Sequence, residues 1–261
     1  RPLPNGWMVG LESVSAVQKI GADLKPVADT DDILSGATLR DIAAGIDGML
    51  AVGDSGKYRV LNSDGSPKTG VKSVSGAGEL TAAGWNGQQF MAVGTGGMVA
   101  LIDPDGTVAN TLERLDGKDI TALSWHGGNW LAATKDGQFQ RLKDDGATKG
   151  AIESTGLDTI EASDFNGDQW ILAGEKGGKG AFVVVESDGS ISGGAKTVME
   201  VDGTFRAADW NGREWLVGGD GGWVVRIDQG GSVIRQGSEK GVRDALYGST
   251  IHAISFNGDI Y

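Results

Sequence analysis

The chain contains no cysteine, and its 261 residues include only two histidines, five prolines and three tyrosines. Without cysteine there are no disulfides, no cysteine-based zinc sites and no thiol nucleophile. His126 and His252 alone are too few for a multi-histidine metal centre. The scarcity of proline excludes a collagen-like or proline-rich chain. Long apolar runs are missing as well. A strongly apolar stretch such as residues 182–185 is far too short to cross a bilayer, and no signal-like segment is visible. There is no Gly-x-Ser-x-Gly elbow and no Gly-Lys-Ser/Thr phosphate loop. The Gly-rich stretches follow strand-like segments without opening helices, so a nucleotide site is not expected.

Positive charge is in deficit: 23 Lys and Arg face 35 Asp and Glu, a net charge of -12. The basic residues are scattered. Such a surface repels phosphate backbones, so nucleic acid is not an expected partner. No cofactor is implied. A cysteine-free, acidic, Gly-rich repeat chain without an initiator Met is expected in an extracytoplasmic compartment, periplasmic or secreted.

Glycine is what the chain has in excess: 45 residues, about 17% against a usual share of roughly 7%. The glycines fall in a repeat. Residues 80–108 read LTAAGWNGQQFMAVGTGGMVALIDPDGTV, residues 120–146 ITALSWHGGNWLAATKDGQFQRLKDDG, and residues 205–233 FRAADWNGREWLVGGDGGWVVRIDQGGSV. A fourth copy begins at Ile160, and a worn one at Asp41. The glycine of the Asn-Gly element recurs at Gly48, Gly87, Gly127, Gly167, Gly212 and Gly258, at intervals of 39, 40, 40, 45 and 46 residues. A period of about forty residues belongs to propeller blades of four strands. Each copy reads as strand, Asn-Gly hairpin, strand, loop, strand, Asp-Gly hairpin, outer strand, with positive φ expected at both central residues of the turns. Residues 237–247 have room for a short helical turn.

The expected fold is therefore all-β: one six-bladed β-propeller domain over residues 1–261, with blades at 38–78, 79–117, 118–156, 157–202 and 203–250. The sixth blade is shared, with residues 251–261 supplying its first strand and residues 6–37 the others. That closure leaves no open edge between blades.

The element Asn211 to Gly219, NGREWLVGG, resembles the blade repeat of many bacterial propellers. The Asp-Gly turn also resembles the Asp-box of sialidase-type and photosystem-assembly-factor-type propellers. Asp105-Gly106-Thr107 keeps that turn, with no Trp after it. The sialidase arginine triad and tyrosine–glutamate pair have no counterparts. The resemblance implies an architecture and no activity.

Two aromatic columns run through the copies, Trp85, Trp125, Phe165, Trp210, Phe256 and Phe90, Trp130, Trp170, Trp215, Trp7. Repetition at one blade position marks them as packing between blades rather than sugar platforms. Trp223 aligns with Lys57, Met98, Gln138 and Ala181, so no structural rule demands an aromatic there. It is a candidate for a ligand surface. Asp103-Pro104-Asp105-Gly106 lacks the alternating acids of a calcium loop and reads as a turn.

The turn between second and third strands carries Glu12, Asp54, Thr95, Lys135, Glu175 and Asp220 at equivalent positions, a mostly acidic rim on one face. The residue before the recurring Ala of the first strand is Thr81, Thr121, Glu161, Arg206 or His252. Glu161, Arg206 and His252 fall on consecutive blades and form the best polar cluster for acid–base work. Asp164 and Asp209 form a second adjacent pair. The leading expectation is a non-catalytic binding module recognising a protein or glycan through one face. The alternatives are a polysaccharide-active hydrolase or lyase built on Glu161, Arg206 and His252, and a scaffold without ligand.

Overall fold

The computed structural model describes residues 32–234 and 249–254, together with the backbone of three strands at 6–11, 16–21 and 26–30. Short β-rich segments separated by glycine turns fold as antiparallel meanders, because each tight turn returns the chain beside the strand it has just left. The described residues form six such sheets in chain order. They are β1 (Gly6–Leu11), β2 (Ala16–Gly21), β3 (Pro26–Thr30); β4 (Leu39–Ala44), β5 (Met49–Gly53), β6 (Lys57–Leu61), β7 (Lys72–Ser73); β8 (Leu80–Trp85), β9 (Phe90–Gly94), β10 (Met98–Ile102), β11 (Val108–Glu113); β12 (Ile120–His126), β13 (Asn129–Thr134), β14 (Gln138–Lys143), β15 (Glu153–Ser154); β16 (Thr159–Phe165), β17 (Gln169–Lys176), β18 (Lys179–Glu186), β19 (Ile191–Asp202); and β20 (Phe205–Trp210), β21 (Glu214–Gly219), β22 (Val224–Asp228).

The chain divides into two compact units. The first holds residues 1–120, 127–129 and 143–147, the second residues 121–126, 130–142 and 148–261. In the first, β4 lies beside β8, and β5 also approaches β8. Leu50, Val52, Tyr58, Leu80, Phe90 and Ala92 fill the space between these sheets. β1 lies beside β4 in turn. In the second unit β16 and β17 lie beside β20. Ala162, Ile171, Phe182, Phe205, Trp215 and Val217 form the core there, and Leu131, Phe139, Ile160, Trp170 and Val183 form a second cluster.

The second aromatic column is core, and the first is half-buried against it. Trp130, Trp170 and Trp215 are fully buried, and each meets the aromatic across its hairpin, Trp125, Phe165 and Trp210, at centroid distances of 6.4, 4.9 and 4.9 Å. Trp85 and Phe90 make the same pair in the first unit at 4.6 Å. Trp7 and Phe256 lie outside the residues whose side chains are described, as do residues 237–247.

The turn chemistry differs from expectation. Three of the first hairpins have positive φ at one glycine alone, 99° at Gly87, 108° at Gly167 and 89° at Gly212, whereas the turn after His126 has it at both central residues, Gly127 (39°) and Gly128 (99°), as expected. The asparagine stands one place earlier and works through its side chain. Asn86 Oδ1 accepts the N–H groups of Gln88 (2.9 Å) and Gln89 (2.7 Å). Asn166 and Asn211 do the same two and three residues on. In the second hairpins the loop has three residues rather than two. Asp103 N–H donates to Thr107 O at 2.8 Å, Gly106 carries φ of 77°, and Asp105 Oδ1 accepts the N–H of Thr107 at 2.7 Å. Asp64, Asp145 and Asp188 repeat that last bond. A carboxylate two residues before an N–H makes an Asx turn, which accounts for the recurring Asp without a bound ion.

Candidate functional site

In the second unit, the ends of β16 and β20 and the turns after β13, β17 and β21 gather the predicted polar residues. Each first strand carries a bulge there: Ile160 faces Gly174 and Ala162 faces Ala173, leaving Glu161 as the extra residue. Arg206 is the extra residue of β20 in the same way. A bulge re-aims a side chain out of the ladder. Arg206 turns to the Asp220 carboxylate, Nε to Oδ1 at 2.7 Å and Nη2 to Oδ2 at 3.3 Å. Asp220 also accepts the N–H of Thr204 at 3.0 Å and the hydroxyl of Thr250 at 3.5 Å. The Arg206 hydrogen bond, partly offset by burial, together with the Thr204 N–H and the guanidinium charge, holds the Asp220 carboxyl below the usual carboxylate range. Glu175 accepts the N–H of Gly178 at 2.7 Å and the Thr204 hydroxyl at 3.5 Å.

Glu161 behaves differently. Partial burial pushes its carboxyl up, and the charges of Arg206 and Lys135 only partly counter this while Asp220 adds to it. Lost solvation disfavours the charged form of a half-buried carboxylate, which is the larger cause of the rise. Lys135 is exposed in its turn. His252, the third residue of the expected cluster, is also exposed, and among the described residues no hydrogen bond joins it to Glu161 or Arg206.

The first unit holds a copy that the sequence reading missed. Arg40 is the extra residue of β4, and its Nε lies 2.7 Å from Asp54 Oδ1, with Nη2 3.9 Å from Glu79. Burial raises the Asp54 carboxyl, but hydrogen bonds from Arg40 and Thr38 and the Arg40 charge bring it below its ordinary value. Arg40 was hidden because Asp41 replaces the alanine that marks this position elsewhere. Two of the predicted acids are thus paired within their own units, Asp54 with Arg40 in the first and Asp220 with Arg206 in the second. Glu12 lies outside the described residues. Trp223 is half-buried, packs on the core around Trp215, and lies against the Gly221 of its own turn.

Where the bulge residue is threonine it stitches neighbouring first strands together. Thr81 Oγ1 donates to the Ile120 carbonyl and Thr121 Oγ1 to the Ile160 carbonyl. Glu161 is the corresponding residue of β16, and an ionised carboxylate has no proton to give to a neighbouring carbonyl. The free edges of first strands are also met by acids: Asp41 Oδ2 accepts the Ala83 N–H at 2.9 Å. Asp164 is the strained member. Burial, and then the charge of Asp209, push it up to about 7 against the opposing N–H groups of Phe165 and Trp210. Its Oδ2 is shielded from water and has no hydrogen-bond partner, an arrangement that penalises the charged form.

On the opposite edge, three of the turns that follow the third strands are held by a cation from the preceding sheet. Lys72 Nζ donates to the Gly106 carbonyl at 2.7 Å, joined by Tyr58 Oη at 3.0 Å. Arg114 Nε donates to the Gly146 carbonyl at 2.7 Å, and Lys196 Nζ to the Gly231 carbonyl at 2.6 Å.

Among the described residues no group of three or more His, Cys, Asp or Glu is gathered to hold a metal ion, and no helix is long and apolar enough to cross a membrane. No protein-family model and no curated protein matches the chain. Solved structures do: 1286 chains match, so the likeness is to a widely shared architecture. BamB from Moraxella catarrhalis matches with a TM-score of 0.60 and 14% identity, over 90% of this chain and 83% of that one. At that identity the likeness shows the fold, and the fold it shows is a β-propeller of antiparallel sheets.

Proposed function

We propose that the chain is a non-catalytic, extracytoplasmic interaction module that binds a protein partner through the face built by Glu161, Arg206, Asp220, Glu175 and Lys135. The observation that carries this reading is the Arg206–Asp220 pair beside Glu161. Two hydrogen bonds fix the guanidinium in place. The neighbouring carboxylate meets it through charge alone among the described residues. Fixed, partly desolvated charges of both signs recognise complementary charges on a partner at low ordering cost.

The same reading takes the propeller as six-bladed and closed by both chain ends. Two observations support it. β1 lies beside β4 as β5 lies beside β8, which is the place of a second strand with a first strand still to come. Ile251, the first residue of the sixth copy, is buried with its N–H on the Gly219 carbonyl at 3.1 Å.

Matched baits test the function. Wild-type protein and an Arg206→Ala, Glu161→Ala variant of unchanged fold are presented to extracytoplasmic extract. A protein retained by the first and lost by the second is expected. Equal retention removes this face. A second reading, hydrolysis or elimination on a polysaccharide, is favoured only by the raised Glu161 carboxyl. It requires turnover that Glu161→Gln abolishes and His252→Ala weakens.

A further inference from the structure

At the Asp188-Gly189 turn no side chain among the described residues donates to the glycine carbonyl, and a cavity opens there. In the first unit Tyr58 pairs with Lys72 across β6 and β7, and both donate to the Gly106 carbonyl. In the second unit Phe139 pairs with Glu153 across β14 and β15 in the same register. Phenylalanine has lost the hydroxyl, and glutamate has reversed the charge. Neither can donate to the Gly189 carbonyl of the facing turn. Between them lies a cavity of about 370 Å³, lined by Phe139, Arg141, Glu153, Asp188, Gly189 and Ile191 among others. Arg141 partly substitutes, donating to the Ser187 carbonyl at 3.1 Å. Its charge helps hold Asp188 below the usual carboxylate range, behind the Ser190 hydroxyl and N–H bonds. Two carboxylates against one guanidinium leave the cavity negative.

We propose that this cavity receives a lysine side chain presented by a partner protein. The chain supplies the template itself. At the intact lock the Lys72 ammonium sits on a turn-glycine carbonyl with Asp105 close enough for its carboxyl to feel the charge. At the open lock the ammonium finds the Gly189 carbonyl, Asp188 and now Glu153, while the alkyl stem lies on Phe139 and Ile191. A long aliphatic stem with a cationic end matches an apolar floor with a negative rim. This surface is separate from the Arg206 face, and either can fail without the other.

The test is a titration of the isotope-labelled full chain with the peptide acetyl-Ala-Lys-Ala-amide, followed by amide chemical shifts. Saturable millimolar shifts are expected at Ala151, Glu153, Gly189 and Ile191. Glu153→Lys, which rebuilds the internal lock, abolishes them. Asp47→Lys, the same charge change elsewhere, leaves them. Glu153→Gln, a milder variant should Glu153→Lys misfold, weakens binding about three- to fivefold. The proposal falls if these amides do not shift, if Glu153→Lys or Glu153→Gln binds as well as wild type, or if the norleucine or glutamate peptide binds equally.

Discussion

Arg206 grips Asp220 along the edge of its guanidinium, Nε to Oδ1 at 2.7 Å and Nη2 to Oδ2 at 3.3 Å. Both side chains are about one-third exposed, so solvent screens the pair. Arg206→Ala is expected to cost about 1 kcal/mol of stability. It also returns the Asp220 carboxyl towards the ordinary carboxylate range. Urea titration and carboxyl-carbon NMR check the two effects, and a carboxyl that does not move upward contradicts the pairing.

Asp164 makes stability depend on pH in the opposite sense to most carboxylates. Its folded-state pKa, about 7, lies above the unfolded value of 3.8. Its contribution is therefore fully present below about 4 and is lost as pH rises through 7. Asp164→Asn removes the buried charge and should stabilise the protein by about 2 kcal/mol at pH 8, with little gain at pH 4. Chemical denaturation at the two pH values reads the difference. Equal effects at both would show that the carboxyl titrates normally.

The buried indoles are there for volume rather than hydrogen bonding. Nε1 of Trp130, Trp170 and Trp215 has no hydrogen-bond partner. Phe90 fills the equivalent place in its own sheet. Trp170→Phe should cost no more than about 1–2 kcal/mol, and Trp170→Ala about 3–5 kcal/mol. A phenylalanine variant as unstable as the alanine variant would point to a bond through the indole N–H.

Gly94 ends β9 where the backbone of the preceding strand crosses closely. A Cβ there would stand 1.9 Å from the Glu79 carbonyl oxygen, and Gly53, Gly174 and Gly219 meet equivalent carbonyls at 2.0 Å. Gly94→Ala must displace backbone and should cost more than about 2 kcal/mol. A melting temperature unchanged from wild type would show that the strands part without penalty.

The sheets were legible because their signals are local and repeated: Trp85 with Phe90, Phe165 with Trp170, a positive-φ glycine in most of the hairpins. Turn type was misjudged because Asn86 and Asp105 act through side-chain oxygens, which composition does not distinguish from a backbone preference. Of the site, Glu161, Arg206 and Asp220 were readable by alignment of copies. That Arg206 belongs to Asp220 rather than to His252 depends on a bulge in β20. Arg40 escaped notice because its copy is worn. The cavity at Glu153 was invisible for another reason. It is the absence of a lock, and becomes recognisable only once Lys72 is seen on Gly106.

The proposal on which the account depends most is a ring of sheets completed by the two ends of the chain, in which residues 251–261 would pair against β1. Hydrogen exchange of residues 6–11, in the full chain and in one truncated after residue 249, tests it most directly. The account predicts β1 amides protected in the full chain and exchanging at least about a hundredfold faster after truncation, as a lost strand pairing releases them. Identical protection in the two chains would contradict it.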